Sequence, residues 1–233
     1  MTRRRSNPLA LAVLACLIER PMHPYEISTT LRERGKEQSI KLNYGSLYSV
    51  VESLQKHGLI VAQDTQRAGR RPERTTYAVT PAGVDEFEDW LAELLSTPVK
   101  EYPALEAALS LLPGLAPDEA ARLLELRVTK LDLELSSLEA MHAMADRMAL
   151  PQLLRVESDY RVAMVVAERD FVRRLASDIR SGSLGGTAFW RRMYELRDQG
   201  VSTEEMFAKP REYFDEEVAA WLAPKDHTGA EPS

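Results

Sequence analysis

The sequence predicts a mainly α-helical protein in two parts: a front in which helices flank one small β-hairpin, and a back of helices alone. Three observations carry this. Apolar residues recur at spacings of three and four through most of the chain. One pair of short alternating segments flanks a polar loop that contains Gly69 and Pro72. From Asp118 to Met148 the chain is dominated by Leu, Ala and Glu, with no glycine or proline.

The front elements follow in order. Pro8 suits the first turn of a helix, and Leu9, Ala12, Val13, Cys16 and Leu17 make its apolar face. Arg20-Pro21 ends it, because the residue before proline is pushed out of helical geometry. A second helix starts near Pro24, carries Tyr25, Ile27 and Leu31, and meets a C-terminal cap at Gly35. The segment from Lys36 to Leu42 connects to a third helix with Asn43 as N-cap and Gly58 as its stop. Leu47, Val50, Val51 and Leu54 give that helix one buried stripe. Its other face holds Tyr44, Ser46, Tyr48, Ser49, Glu52, Ser53 and Lys56, hydroxyls and polar groups that suit phosphate or base edges. Gly45 keeps the first turn thin. Leu59 to Ala62 and Thr75 to Val79 read as paired strands around a loop from Gln66 to Arg74. Its tip carries Arg67, Arg70, Arg71 and Arg74 with one acid, Glu73. Thr80-Pro81 opens a fourth helix with Val84, Phe87, Leu91, Leu94 and Leu95 as its apolar positions.

Charge divides the chain at the same place. Up to Thr80 there are 13 Lys and Arg against 7 Asp and Glu; beyond it there are 17 against 29. The basic part suits a polyanion and the acidic part repels one. A chain that is 28% charged and 44% hydrophobic is not mainly disordered. Leu9 to Ile18, its longest apolar run, is too short to span a bilayer and has no small-residue cleavage site after it, so no membrane partner and a cytoplasmic protein are expected. Cys16 is the only cysteine, which excludes an intramolecular disulfide and a Cys-rich zinc site. His23, His57, His142 and His227 are scattered. With no metal spacing, nucleophile elbow or dinucleotide fingerprint, neither a metal, a cofactor nor an enzyme is expected.

Three helices followed by a hairpin with an arginine tip is the order of a winged helix-turn-helix, whose third helix enters the major groove while the wing follows the DNA backbone. The segments His23-Pro24-Tyr25-Glu26-Ile27, Tyr44-Gly45-Ser46-Leu47-Tyr48, His57-Gly58-Leu59-Ile60 and Tyr77-Ala78-Val79-Thr80-Pro81-Ala82-Gly83 resemble the PadR family of bacterial transcriptional regulators. The resemblance runs from about Pro8 to Leu95. It implies a homodimer that binds a palindromic operator in double-stranded DNA, usually as a repressor, with an all-helical C-terminal region for dimerisation. It also implies release by a small aromatic or drug-like effector. The family's DNA-contacting positions correspond to Tyr25, Tyr44, Ser46, Tyr48 and the wing arginines. Lys41, Asn43, Gly45, Ser49, Ser53 and Lys56 complete the expected DNA-binding set. Many members have proline where Ser49 stands, a change expected to affect base preference.

In the back part, Leu124, Leu131, Leu135, Leu138 and Met141 stripe one long helix, and Pro151 opens a second that runs to Ser181. Its stripe includes Val156, Tyr160, Ala163, Met164, Phe171 and Leu175. These residues, with the leucines from Leu124 to Leu138, are the expected dimerisation set. Two readings stay open: self-association, and an acidic protein-interaction module that binds another regulator. Ser181 to Gly186 reads as a hinge. Short aromatic helices follow, one around Phe189, Trp190 and Tyr194 and one entered through Pro210. They either dock on the subunit's own helices or, with Trp90, line an effector pocket. The expected domains are a winged-helix domain (1–97), a helical dimerisation domain (98–186), aromatic C-terminal helices (187–222) and a disordered tail (223–233).

Overall fold

In the front of the chain the helix starts are fixed by side-chain caps at Asn7, His23, Asn43 and Thr80. The computed structural model describes residues 7–66 and 74–222. It divides into two compact units, Met1–Glu101 and Tyr102–Ser233.

In the first unit α1 spans Pro8–Glu19, and the Asn7 side chain accepts a hydrogen bond from the Leu9 amide at 3.1 Å. Helix α2 spans Pro24–Glu33 and carries a reciprocal cap. The Tyr25 amide donates to His23 Nδ1 at 3.1 Å, and the His23 amide donates to Glu26 Oε2 at 2.8 Å. Thus the His-Pro-Tyr-Glu segment is largely a helix start. A left-handed Gly35 (φ 67°) and a short 3₁₀ turn, Lys36–Gln38, lead to α3, Tyr44–Lys56. The chain then runs through β1 (Ile60–Gln66), β2 (Arg74–Val79) and α4 (Pro81–Ser96). The strands pair antiparallel, from Ile60 opposite Val79 to Gln66 opposite Arg74, with an irregularity between Ala62 and Asp64. Met22 exchanges two 3.0 Å backbone hydrogen bonds with Tyr77 and adds a one-residue third strand. Leu9, Val13, Leu17, Ile27, Leu47 and Leu54 belong to one core with Trp90 of α4.

One junction locks these elements together. The Leu59 amide donates to Leu54 O at 3.0 Å and the Gly58 amide to Gln55 O at 2.9 Å, which closes α3 in a Schellman motif around left-handed Gly58 (φ 72°). The Thr80 amide donates to Leu59 O at 3.0 Å. The Thr80 hydroxyl donates to Gly58 O at 2.8 Å and accepts the Gly83 amide at 3.1 Å, capping α4. Gly83 presses onto the same place: a methyl group there would lie 2.1 Å from Leu59 O and 2.8 Å from Val79 Cγ2.

The second unit is all helical: α5 (Ala104–Ser110), a 3₁₀ turn at Leu112–Gly114, α6 (Pro117–Arg147), α7 (Val156–Ser181), α8 (Thr187–Asp198), α9 (Thr203–Ala208), α10 (Pro210–Tyr213) and α11 (Glu216–Leu222). Helices α6 and α7 form an antiparallel coiled-coil hairpin. Leu124, Val128, Leu131, Leu135, Leu138 and His142 recur at spacings of four and three, answered by Val162, Val165, Arg169, Val172, Ala176 and Ile179. Charge pairs flank this seam: Glu125 with Arg180 (2.9 Å), Asp132 with Arg173 (3.1 Å), Arg127 with Glu168 (2.7 Å), and Glu134 with Arg161. These pairs are exposed and screened by solvent, so their effect is on register more than stability. A slip by one heptad sets Arg127 against Arg161 or Glu134 against Glu168. Helix α8 closes the base of the hairpin. Trp190 Nε1 donates to Leu115 O at 2.9 Å, Tyr194 OH to Pro113 O at 3.2 Å, and Arg191 Nη2 to Ile179 O at 3.1 Å at the end of α7.

Several details differ from the sequence expectation. Both strands are longer, because pairing continues past the irregularity at Ala62. Helix α7 starts at Val156 and not at Pro151, since Ala149 turns left-handed (φ 51°) and Pro151 leads into a 3₁₀ turn, Gln152–Leu154. In α4 the buried anchor is Trp90, while Leu94 and Leu95 are exposed, because the helix outruns the core it packs on. The expected hinge is a hydrogen-bonded turn: the Leu184 amide donates to Asp178 O at 3.1 Å and the buried Thr187 hydroxyl to Leu184 O at 2.7 Å. Helix α5 has no strong signal of its own in the sequence.

Two outcomes are expected. Gly83→Ala should destabilise the protein by about 1–3 kcal/mol through overpacking, read by urea denaturation; an unchanged midpoint would remove the junction's importance. His142 holds Leu138 O from Nδ1 at 2.9 Å and Asp159 Oδ1 from Nε2 at 2.8 Å, and only the doubly protonated ring donates both hydrogens. The Leu138 carbonyl first and the Asp159 carboxylate second raise its pKa above the ordinary imidazole value, with partial burial and then Arg155 opposing them. This stabilisation is complete below the unfolded-state pKa and is lost as pH rises through the folded value. Melting temperature should therefore fall from about pH 6 to 8, and His142→Gln should flatten that slope.

Candidate nucleic-acid interface

The direction in which α3 presents its outer face follows from its cap and its stripe. Asn43 Oδ1 accepts the Ser46 amide at 2.7 Å and fixes the first turn. Leu47, Val50, Val51 and Leu54 are all buried. The opposite side is left to solvent: Gly45, Tyr48 (46% exposed), Ser49, Glu52 and Lys56, with Ser46 and Ser53 half-buried at its border. Lys41 and Asn43 are exposed just before it, and Tyr25 of α2 is 56% exposed. For a tyrosine in a small domain, such exposure leaves both ring and hydroxyl available to a partner.

Gly45 is informative because nothing inside the protein requires it. Its φ is not positive, and a methyl group there would meet only Asn43 Oδ1, at 3.9 Å. Gly58 and Gly83, by contrast, are demanded by backbone geometry or packing. A glycine the fold does not need, in the first turn of an outward helix, suits close approach by an external backbone. Beside it a polar groove of about 520 Å³ runs between the starts of α1 and α3, lined by Asn7 and Ala10 together with Gly45, Ser46, Ser49, Val50 and Ser53. The Ser49 hydroxyl donates to Gly45 O at 3.1 Å, which tucks it against its own helix. Sequence reasoning missed Asn7 and Ala10. The Asn-Pro start of α1 marks a cap, but not its neighbour in space.

The strands of the wing are described up to Gln66 and from Arg74. Arg67, Arg70 and Arg71 lie outside the described residues, as do the side chains of Tyr44 and Arg74. The base of the wing is placed by the Leu59–Thr80 junction, beside the C-terminal end of α3.

Residues 13–89 match the transcriptional regulator PadR-like family. The first unit carries a PadR-like domain. No curated protein matches the chain. Among solved structures, the chain is similar to Bacillus subtilis PadR in complex with operator DNA, with TM-score 0.57, 20% identity, and 75% of this chain and 99% of that one covered. It is also similar to the same Bacillus subtilis protein in complex with p-coumaric acid (TM-score 0.60, 17% identity, 74% and 98% covered). A third similar structure is the Vibrio cholerae virulence activator AphA (TM-score 0.56, 14% identity, 74% and 98% covered). Likeness at these identities establishes a shared fold. The PadR-like domain thereby accounts for all four sequence segments: three of them supply the caps and the junction, and Tyr44-Gly45-Ser46-Leu47-Tyr48 supplies the start of the outward helix.

The remaining candidates separate clearly. Leu124, Leu131, Leu135 and Leu138 are buried in the seam between α6 and α7 of their own chain, where they leave little surface to a partner. Val156, Tyr160 (67% exposed), Ala163, Met164 and Phe171 lie open on α7, and Leu175 is half-buried. Trp90 is core in the first unit. Trp190 and Tyr194 hold backbone carbonyls, and Phe189 meets Phe214 at a tilt and Trp221 edge-on, at 5.0 and 5.9 Å between ring centres. Among the described residues, no group of three or more His, Cys, Asp or Glu is arranged to hold a metal, and no helix is long and apolar enough to cross a membrane.

Gly45→Ala should leave the fold intact and raise its stability by up to about 1 kcal/mol. Tyr48→Ala should change stability by no more than about 0.5 kcal/mol, as expected for a surface position. Thermal melts check both, and a large loss in either would make the α3 face part of the core.

Proposed function

We propose that this chain is an operator-binding transcriptional regulator that acts as a homodimer and represses until a small-molecule effector releases it. The observation that carries the reading is the polar outer face of α3 within a PadR-like domain, with a glycine in its first turn that internal packing does not explain. Ser46 and Ser53, with Tyr48 and Tyr25, meet base edges and phosphates, and Lys41, Lys56 and the arginines at 67, 70, 71 and 74 add counterion release. Two copies of α3 about one helical turn apart, roughly 34 Å, read the halves of a palindrome. The operator complex of Bacillus subtilis PadR supports DNA as the partner, and the p-coumaric acid complex of that protein supports an effector. The repressor sense rests on the family resemblance, since a similar fold is found in a virulence activator.

Dimerisation rests on α7. Val156, Tyr160, Met164 and Phe171 make an exposed apolar stripe on the side away from α6, and the same stripe of a second copy is its simplest cover.

Fluorescence anisotropy against duplexes from the chain's own upstream region and a scrambled control, over a salt series, tests the DNA reading. Specific binding should exceed random by at least ~10³. Arg70→Glu with Arg71→Glu should weaken both alike and flatten the salt slope by about 0.9 for each phosphate that is no longer neutralised. Gly45→Ala should weaken the specific complex. Equal, weak binding to both duplexes at every salt concentration would overturn the proposal. Separately, Tyr160→Glu should shift the protein from dimer to monomer in sedimentation velocity; an unaltered dimer would move the interface elsewhere.

A further inference from the structure

The second unit holds a cleft that DNA recognition does not use. Helix α5, the turn after it and one side of α6 enclose about 320 Å³. Its walls are aliphatic, led by Leu105 and Leu109 of α5, Leu112 and Leu115 of the turn, and Leu123 and Leu126 of α6. No aromatic ring, hydroxyl or carboxylate lines it; its two polar residues are both cations, Arg127 and Lys130. That is unexpected in a unit with 16 Lys and Arg against 23 Asp and Glu from Tyr102 onward. Arg127 is engaged by Glu168 at 2.7 Å. Lys130 is exposed and has no ion pair or hydrogen bond among the described residues.

We propose that this cleft binds a medium-chain aliphatic carboxylate, its chain among the leucines and its head group on Lys130. The volume sits at the small end of ligand sites. At about 30 Å³ for each small group it holds roughly ten heavy atoms. A leucine wall with no hydrogen-bonding side chain favours a saturated chain, because a buried ring hydroxyl would lose its water without a replacement partner. Lys130 selects the head group: a carboxylate gains a charge-assisted bond there, whereas an ammonium of the same length is repelled. Occupancy ties α5 to α6 through the turn that Trp190 already holds at Leu115 O. The site is defined on the protein alone, so it stands or falls separately from operator binding.

Isothermal titration of the full chain with decanoate, butanoate and decylammonium tests it. Decanoate should bind saturably, one per chain. Butanoate and decylammonium should bind at least ten-fold more weakly, the first for want of chain and the second for its charge. Lys130→Glu, a change at an exposed position, should weaken decanoate at least ten-fold with an unchanged circular dichroism spectrum. The comparison of three ligands on the unaltered protein needs no variant. Equal binding of decanoate and decylammonium would mean apolar adsorption and would overturn the assignment, as would the absence of saturable decanoate binding.

Discussion

The backbone of Leu59 is the point on which the PadR-like domain turns. Its amide closes α3 on Leu54 O, and its carbonyl takes the Thr80 amide that ends the wing. Gly83 at the start of α4 is pressed against that same carbonyl, so close that no side chain fits. One peptide thus fixes where the outward helix stops, where the hairpin leaves and returns, and where the next helix begins. The angle between α3 and the wing is a consequence. Any partner that meets the helix and the hairpin together depends on that angle, because a displacement of about 1 Å already separates a hydrogen bond from none.

The four sequence segments that mark the domain divide by physical role. His23, Glu26, Gly58, Thr80 and Gly83 serve caps and close approach. Gly45 meets no packing demand inside the protein, and Tyr48 beside it is 46% exposed. That contrast separates residues kept for folding from residues available for binding, and it does so without reference to any relative.

In the second unit, apolar burial and charge have different effects. Leucines and valines along the α6–α7 seam supply the burial that holds the hairpin closed. The flanking pairs are exposed and individually weak, yet their alternation of sign, Arg127 with Glu168 and Glu134 with Arg161, penalises each neighbouring register. The acidic balance of the back of the chain is partly explained here. Acids recur every seven residues on α6 at Asp118, Glu125, Asp132, Glu139 and Asp146. Arginines of α7 and of the turn before it answer four of these five positions.

The sequence by itself determined the order of elements in the first unit, the Asn43 and Thr80 caps, the buried stripe of α3 and the polarity of its other face. These depend on neighbours within a turn or two, where spacing and side-chain type decide the outcome. Tertiary structure alone decided which apolar residues are covered by their own chain. Leu124 to Leu138 and Val156 to Phe171 follow the same helical periodicity, and only the pairing of α6 with α7 buries the first set and leaves the second open. It also decided that Trp90 is core, that Asn7 faces Ser49 across a groove, and that α5 forms one wall of a leucine cleft. Each of those joins residues distant in sequence, and periodicity shows that a face is apolar without showing what covers it.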